Sequence, residues 1–584
     1  MRRFLSLLLL VLYFTNSLSS SRLPFDSDDL RFLAMPVRNN QIYLGWRLLE
    51  DDTFNIAFNI YRQSGQDDPV KINAKPITNS TNFIDKDPPV RISLNYSIKM
   101  IINGKESSYS ASLTTSTDES PKPYKSIKLN GEHGFQRIGI GDLDDKAGYD
   151  YVIKQPDRSL DPYHTYWHPS KEPYKLEAYN GQGEFLWRYN MGWAIETGTW
   201  YSPFIVYDLD KDGISEIIVK AGEGDPRNKE GKVVSGPEYV RILNGTDGKQ
   251  ITQANWISRV PPFEHPSIYE SYNSRNQIGI AYLDGKNPHI IIERGTYNAI
   301  TIQAFRYKNK KLKEVWKWDN RELTPGKYWG WGGGAHWMHA ADVDQDGYDE
   351  IIIGSVAIDH DGHMLWANGL GHPDHVYVGE IDPHRPGLEV YFGIETDMPE
   401  NNGMSLADAK TGEIIWGLDI PTEHVHGQGL CSDIDPVYPG LECYSAESLP
   451  TRGKRVNYAI IHDSQGKIID RQILGGFSPK AVYWDVDPQR ELLIENRIYD
   501  YPSNHTHIKI EGKIRAIGDF MGDWREEVIT SLDGELRIYT TTIPSAHRYK
   551  TLMLDPIYRI DVAHASSGYW QPPMSSYMLQ FKLY

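Results

Sequence analysis

The sequence has few cysteines, no long hydrophobic run after its first residues, and no excess of positive charge. Its two cysteines are Cys431 and Cys443, so a disulfide framework does not hold the fold together. They either pair across neighbouring strands or act as separate small core residues. The formal net charge of −17 argues against nucleic acid or an anionic membrane as a general partner. Dispersed acidity also suits a protein that binds several divalent cations.

The first residues carry the chain's most apolar segment. MRRFLSLLLLVLYFTNSLSS, residues 1–20, has a basic start, an apolar run from Phe4 to Tyr13 and a small polar end, as a cleaved secretory signal does. A run of about ten residues is too short to span a bilayer, which needs about twenty. We therefore expect a secreted or periplasmic protein that is monomeric and not bound to a membrane.

Residues 30–118 alternate apolar and polar residues without acidic loops. LGWRLLEDDTFNIAFNIYR and LNYSIKMIINGKESSYSASL are the clearest examples. The period of two predicts half-buried strands, and the segment is similar to a small β-sandwich of the fibronectin type III kind.

The remaining chain repeats an acidic loop between two apolar runs. Carboxylates at positions one, three, five and nine let a tight turn aim several oxygens at one Ca²⁺ ion. Two copies have the full spacing: Asp208, Asp210, Asp212 and Glu216, and Asp342, Asp344, Asp346 and Glu350. Looser copies occur near Asp142, Asp284, Glu380, Asp433, Asp485 and Asp519. We predict several, mostly structural, Ca²⁺ ions.

The apolar runs beside these loops predict the architecture. EIIVKAG, EIIIGSV and EEVITSL are short and rich in β-branched residues, as strands are, and turn signals such as NGTDG and HDG mark a second hairpin in most repeats. Four strands per repeat and eight repeats predict an all-β, eight-bladed β-propeller over residues 125–584. Calcium loops stiffen turns in adhesion proteins as well as in enzymes, so they do not specify a function.

Polar residues precede three successive acidic loops. A lone histidine is more often structural than functional, but several at equivalent places in adjacent blades would converge on one mouth of the axial channel and need a metal or an acidic ligand. These residues are His336, His339, His372, Asp374, His375, His424, His426 and Gln428.

Several longer stretches resemble the rhamnogalacturonan lyases of polysaccharide lyase family 11. They include VYDLDKDGISEIIVKAGEGD, ADVDQDGYDEIIIGSVAIDHDG, GLGHPDH, GDWREEVI and TTIPSAHR. The resemblance covers the chain from about Asn130 onward. It implies an eight-bladed, Ca²⁺-bearing propeller that cleaves the galacturonate–rhamnose backbone of pectin, an acidic plant polysaccharide, by β-elimination.

The resemblance also implies site residues. An active-site metal would be held by His336, His372, Asp374 and Glu395. Because this set mixes nitrogen with oxygen, the residues themselves leave Mn²⁺ or Zn²⁺ open beside Ca²⁺. We assign substrate binding to Trp331, His339 and Gln428.

The bases of the family transfer less well. Gln428 stands where the family has an arginine, and the stretch from Asn504 to Lys513 replaces a segment that carries a lysine. Elimination needs a base that removes the proton at C5 of a uronate whose carboxylate has been neutralised. The candidates are His424, His426, Lys509 and Lys513, and we favour the histidines because neutral imidazole is a base near neutral pH.

Three functions stay open at this point. The first is a lyase acting on a rhamnogalacturonan I-type backbone. The second is a lyase acting on a related rhamnose–glucuronate linkage. The third is a propeller that binds carbohydrate without cleaving it.

Overall fold

The computed structural model describes residues 32–579 apart from positions 51, 54, 111, 145, 147, 159–168, 260–274, 298, 323–332 and 449–455. The predicted signal at 1–20 and the predicted substrate contact Trp331 lie outside the described residues. Among those described, no helix combines the length and apolar character needed to span a bilayer.

The N-terminal part consists of two antiparallel sheets. One has the order β1-β2-β5, and the other has the order β4-β3-β6-β7 with β8 beside β6. The bounds are β1 Phe32–Val37, β2 Gln41–Trp46, β3 Ala57–Ser64, β4 Val70–Lys71, β5 Asn82–Asp85, β6 Leu94–Ile102, β7 Lys105–Glu106 and β8 Leu113–Thr115. Trp46, Phe58 and Tyr96 are buried in one cluster to which both sheets contribute, so the alternating pattern supplies a shared core.

Eight four-stranded antiparallel sheets follow in the described part of the chain. The first four are β10 Arg137–Gly141, β11 Asp150–Gln155, β12 Lys175–Tyr179 and β13 Phe185–Asn190; β14 Phe204–Tyr207, β15 Glu216–Gly222, β16 Glu238–Leu243 and β17 Gln250–Asn255; β18 Asn276–Ala281, β19 His289–Arg294, β20 Thr301–Lys308 and β21 Lys311–Asp319; and β22 Gly334–Ala341, β23 Glu350–Gly354, β24 Val356–Ile358 and β25 Met364–Ala367.

In the other four sheets the strands also follow chain order, except that the fourth strand of the last sheet is β9. They are β26 Pro373–Gly379, β27 Glu389–Ile394, β28 Met404–Asp408 and β29 Ile414–Gly417; β30 Val425–Ser432, β31 Glu442–Ser448, β32 Val456–His462 and β33 Ile468–Asp470; β34 Lys480–Val482, β35 Glu491–Ile494, β36 Arg497–Tyr499 and β37 Thr506–Lys509; and β38 Lys513–Gly518, β39 Glu527–Leu532, β40 Glu535–Tyr539 and β9 Tyr124–Lys128. The prediction of an all-β fold is confirmed.

The first strand of each sheet faces its neighbours. The first strands of consecutive sheets contact each other from β10 through β34, and β38 contacts β10. Residues of β22 and β26 are buried along their whole length, which suits strands covered on both faces. We call these first strands the inner strands.

The last sheet joins distant parts of the chain. β9 lies beside β40, with Tyr124 opposite Tyr539 and Lys128 opposite Glu535. This pairing ties the start of the repeating region to its end and covers an otherwise free sheet edge.

A single α-helix of the described residues, α1 Pro556–His564, lies against five inner strands: β10, β14, β18, β22 and β38. Asp555 caps it by accepting from the Tyr558 backbone N–H at 3.0 Å, and proline occupies its first turn, where a missing N–H costs nothing. Every residue from Ile557 to His564 is buried. Three short 3₁₀ turns complete the elements: Arg38–Asn40, Asn320–Glu322 and Leu552–Leu554.

The acidic loops and the histidines lie at opposite ends of the inner strands. Asp342 follows β22, and Glu350 begins β23, whereas His336 lies near the start of β22. The polar residues that precede the acidic loops in sequence therefore lie at the other end of the sheets.

Candidate active site

Four predicted metal ligands meet at the starts of two neighbouring inner strands. His336 lies in β22, His372 directly precedes β26, Asp374 lies within β26, and Glu395 follows β27. One ligand atom from each residue lies within 4.8 Å of the others. We call these four residues the metal cluster. Three of them are buried and Glu395 is partly buried.

The hydrogen bonds of His372 test whether a cation fits the cluster. Its Nδ1 lies against the Gly334 carbonyl, so Nδ1 carries the proton and Nε2 presents a lone pair. Nε2 is buried without a hydrogen-bond partner among the described residues, and Glu395 Oε2 lies 3.2 Å from it. Two lone pairs that face each other in a buried site favour a bound cation. The four residues therefore fit a divalent metal.

His336 is held in its neutral form. Burial, and next the nearby Arg275 guanidinium, lower the pKa of His336 to about 4. Its Nε2 lies 3.2 Å from Asp374 Oδ1. Neutral imidazole is the form that binds metals, so His336 is a competent ligand at neutral pH.

Aromatic rings surround the metal cluster. The Trp200 ring centroid lies 4.9 Å from that of His336, and the Tyr297 ring lies 4.2 Å from His372. Arg275 lies over the Trp200 ring at 4.7 Å. These groups, together with Tyr569, restrict the imidazole rings.

The two favoured bases adjoin the metal cluster. His424 Nε2 lies 3.4 Å from Glu395 Oε1, and His426 Nδ1 lies 2.8 Å from Asp374 Oδ2. Their rings are stacked with centroids 5.0 Å apart. The side chain of His426 is 46% exposed, so a ligand at the mouth can reach it. The roles of both histidines as bases stay predictions.

Gln428 contacts a lysine that the sequence analysis did not identify. Its Oε1 accepts from Nζ of Lys480, the first residue of inner strand β34. Lys480 lies at the start of its inner strand, and His336 and Asp374 lie near the starts of theirs. The sequence feature that could have identified Lys480 is its position just before an apolar run that leads into the acidic loop WDVD.

Two predicted site residues are placed elsewhere. His339 is buried, with Nδ1 3.1 Å from Asp561 Oδ1 in α1 and Nε2 2.9 Å from the Val376 carbonyl. Both nitrogens are used inside the protein, and the role of His339 in substrate binding stays a prediction. Lys509 lies on β37, the outer strand of its sheet, whereas the metal cluster lies at inner strands, and its role as a base stays a prediction.

Lys513 remains a candidate base. It begins inner strand β38, and its Nζ lies 2.5 Å from Asp157 Oδ2. Arg515 binds the other oxygen of Asp157 at 2.6 Å. The side chain of Lys513 is largely exposed.

The acidic loops gather carboxylates as their spacing predicts. In the loop after β22, Asp342 Oδ2 accepts from Gly347 N at 3.0 Å, and Glu350 Oε2 accepts from Val343 N at 2.8 Å. Glu350 Oε1 is buried without a partner among the described residues. Burial and neighbouring carboxylates raise the pKa of Glu350 to about 8. The corresponding Glu216 after β14 accepts from Leu209 N at 2.9 Å, and burial raises its pKa to about 8.

Cys431 and Cys443 face each other across β30 and β31. Both are buried free thiols with their sulfur atoms 3.5 Å apart. In this structure the two cysteines are therefore separate core residues that lie side by side.

Family comparisons agree with the two-part architecture. Residues 130–583 match the C-terminal domain of rhamnogalacturonan lyase family 11. Residues 29–115 match the β-sheet domain of rhamnogalacturonan I lyases.

Individual relatives match along most of the chain. The chain is 34% identical to the rhamnogalacturonan endolyase YesW of Bacillus subtilis (strain 168), over 92% of this chain and 88% of the relative. It is 33% identical to the exolyase YesX of the same organism, over 92% of each. The YesW crystal structure superposes with a TM-score of 0.84 at 32% identity, covering 95% of this chain and 97% of that one. A Bacillus licheniformis family 11 rhamnogalacturonan lyase gives 0.83 at 32% identity, covering 94% and 96%.

Proposed function

The chain belongs to rhamnogalacturonan lyase family 11 and is a polysaccharide lyase, and on that premise we propose that it cleaves a rhamnogalacturonan I-type pectic backbone by metal-assisted β-elimination. The observation that carries the proposal is the metal cluster, because elimination beside a uronate needs a group that neutralises its carboxylate. Each relative's name describes its own substrate, and the cluster is the feature of this chain that suits such a substrate.

Some residues of the site would bind the metal, and others would contact the sugar and transfer its proton. A divalent cation held by His336, His372, Asp374 and Glu395 would act as a Lewis acid toward the uronate carboxylate and so make the C5 proton more acidic. His372 is oriented by its bond to the Gly334 carbonyl, which directs Nε2 toward Glu395. The exposed His426 lies where it can contact a sugar next to the cluster.

Other features of the proposal concern the whole protein. We take the eight four-stranded sheets as the eight blades of a propeller, the acidic loops as Ca²⁺ sites, and residues 1–20 as a secretion signal. The contacts between successive inner strands and the pairing of β9 with β40 support a closed ring. Glu350 Oε1, which has no hydrogen-bond partner within the described ranges, supports bound cations in the loops.

The direct test is the formation of an unsaturated uronate, which absorbs in the ultraviolet because its new double bond is conjugated with the carboxylate. Purified protein with added Ca²⁺, Mn²⁺ or Zn²⁺ is mixed with rhamnogalacturonan I, with polygalacturonan and with a polysaccharide containing rhamnose–glucuronate linkages. We expect absorbance to rise with rhamnogalacturonan I.

Each other outcome identifies a different function. A rise only with the rhamnose–glucuronate polymer supports the related linkage. Binding of polysaccharide with no absorbance on any substrate contradicts lyase activity and supports a carbohydrate-binding protein. Because the relatives include an endolyase and an exolyase, the sizes of early products decide the mode: a broad range indicates internal cleavage, and one short product indicates cleavage from an end.

A further inference from the structure

Lys480 has an unusual environment for a lysine. Only 8% of the residue is exposed. Its Nζ contacts Gln428 Oε1 and lies 4.9 Å from the centre of the Trp570 ring. Among the described residues, no carboxylate pairs with this amine, whereas the nearby Lys513 has Asp157. Burying an unpaired ammonium is unfavourable. A buried lysine without a counter-ion therefore indicates a functional role.

The amine is connected to the metal cluster through two neighbouring residues of β30. Gly427 N donates to Asp374 Oδ2 at 2.6 Å, and the next residue, Gln428, accepts from Lys480. The Gln428 backbone N–H in turn donates to Ser478 Oγ at 3.1 Å. The segment that contacts a metal ligand therefore also holds the amine, so Gly427 and Gln428 link the metal cluster to Lys480.

We propose that Lys480 is the catalytic base that removes the C5 proton of the uronate, with Gln428 positioning its amine. This inference rests on the proposed function and replaces the favoured histidines in that one role. The neutral amine takes the proton from C5, the electrons of the C5–H bond form the C4=C5 double bond, and the C4–O bond breaks. The departing glycosidic oxygen takes a proton from water.

The charges around Lys480 favour the neutral amine. Burial, and next the Arg137 guanidinium on β10, lower the pKa of Lys480 to about 7. The other titratable group that faces it is His375 on β26, whose two ring nitrogens are used by the Gly427 carbonyl and Ser445 Oγ at 2.8 Å each. A base whose pKa is near the working pH is the most effective.

The first test compares three variants on a substrate that the wild type cleaves. Lys480→Met keeps the length of the side chain and removes the amine, and we expect kcat to fall by on the order of 10²–10⁴-fold with little change in KM. Lys513→Met tests the competing lysine: a larger fall in kcat at Lys513 than at Lys480 contradicts the proposal. Lys249→Met is the surface control, since this lysine is 81% exposed on an outer hairpin.

The pH profile provides a readout that a structural role would not change. We expect kcat/KM of the wild type to rise with pH through about 7 as the amine loses its proton. Gln428→Glu places a carboxylate against Nζ, which stabilises the ammonium and should move this rise to higher pH. A Lys480→Met variant that keeps near-normal kcat, or a rise whose midpoint Gln428→Glu does not move, overturns the assignment.

A titration without substrate separates this inference from the proposed function. In protein labelled with ¹³C-lysine, the NMR signal that Lys480→Met removes should titrate near pH 7. A signal that titrates at the ordinary lysine value of about 10.4 contradicts the inference even if the protein is a lyase. If the signal titrates near 7 but the wild type forms no unsaturated product on any substrate, the proposed function fails, and the catalytic role of Lys480 fails with it.

Discussion

At the scale of the residue, two buried histidines, His339 and His372, are expected to differ in role. His372 presents to the metal cluster an Nε2 that has no hydrogen-bond partner in the described part of the chain, whereas His339 joins Asp561 of α1 to the Val376 carbonyl. His372→Ala should lower kcat by on the order of 10²–10³-fold, as loss of a major electrostatic contribution does, with a near-normal melting temperature. His339→Ala should cost about 1–3 kcal/mol of stability, because it leaves buried polar partners unsatisfied. Steady-state kinetics and calorimetry on both variants measure the two effects, and equal loss of activity in the folded proteins contradicts this division.

At the scale of the element, the acidic loop after β22 is expected to depend on a bound cation. Asp342→Ala removes a carboxylate that accepts from Gly347 N and that would help to hold Ca²⁺. In the presence of Ca²⁺ the variant should melt at a lower temperature than the wild type. With a chelator present the difference should become small, because the wild type has then also lost the ion. A difference that is equally large with and without the chelator indicates a purely structural aspartate.

At the scale of the whole molecule, removal of metal is expected to destabilise the protein most at high pH. Glu216 and Glu350 have pKa values of about 8 in the metal-free fold, above the value of about 4.3 for an unfolded chain. Their protonation stabilises the fold fully below about pH 4.3, and this stabilisation is lost as the pH rises through about 8. The melting temperature of chelated protein should therefore fall from pH 5 to pH 9, and added Ca²⁺ should raise it most at pH 9. Calorimetry at several pH values measures this, and an unchanged melting temperature after chelation contradicts the calcium-loop interpretation.

Much of the fold could be predicted because its signals are local. The buried run Ile351–Ile353 and the carboxylates that precede it lie within a few residues of each other, and a strand or a tight turn depends mainly on such near neighbours. The same locality indicated that His336, His372 and Asp374 converge, because equivalent positions of successive repeats come together when the repeats stack. The family resemblance added Glu395 and the metal-binding role. The residue spacing alone did not indicate α1, whose nine residues give only a short helical pattern.

The sequence by itself determined where strands and acidic turns lie and which repeats carry polar residues before them. The tertiary structure alone decided which of those polar groups meet. Gln428 and Lys480 are 52 residues apart and in contact, whereas His339 is only three residues from His336 and is directed to α1 instead. The physical reason is that alternate residues of a strand face opposite sides, and what each side meets depends on long-range packing of sheets and helix that no local pattern encodes.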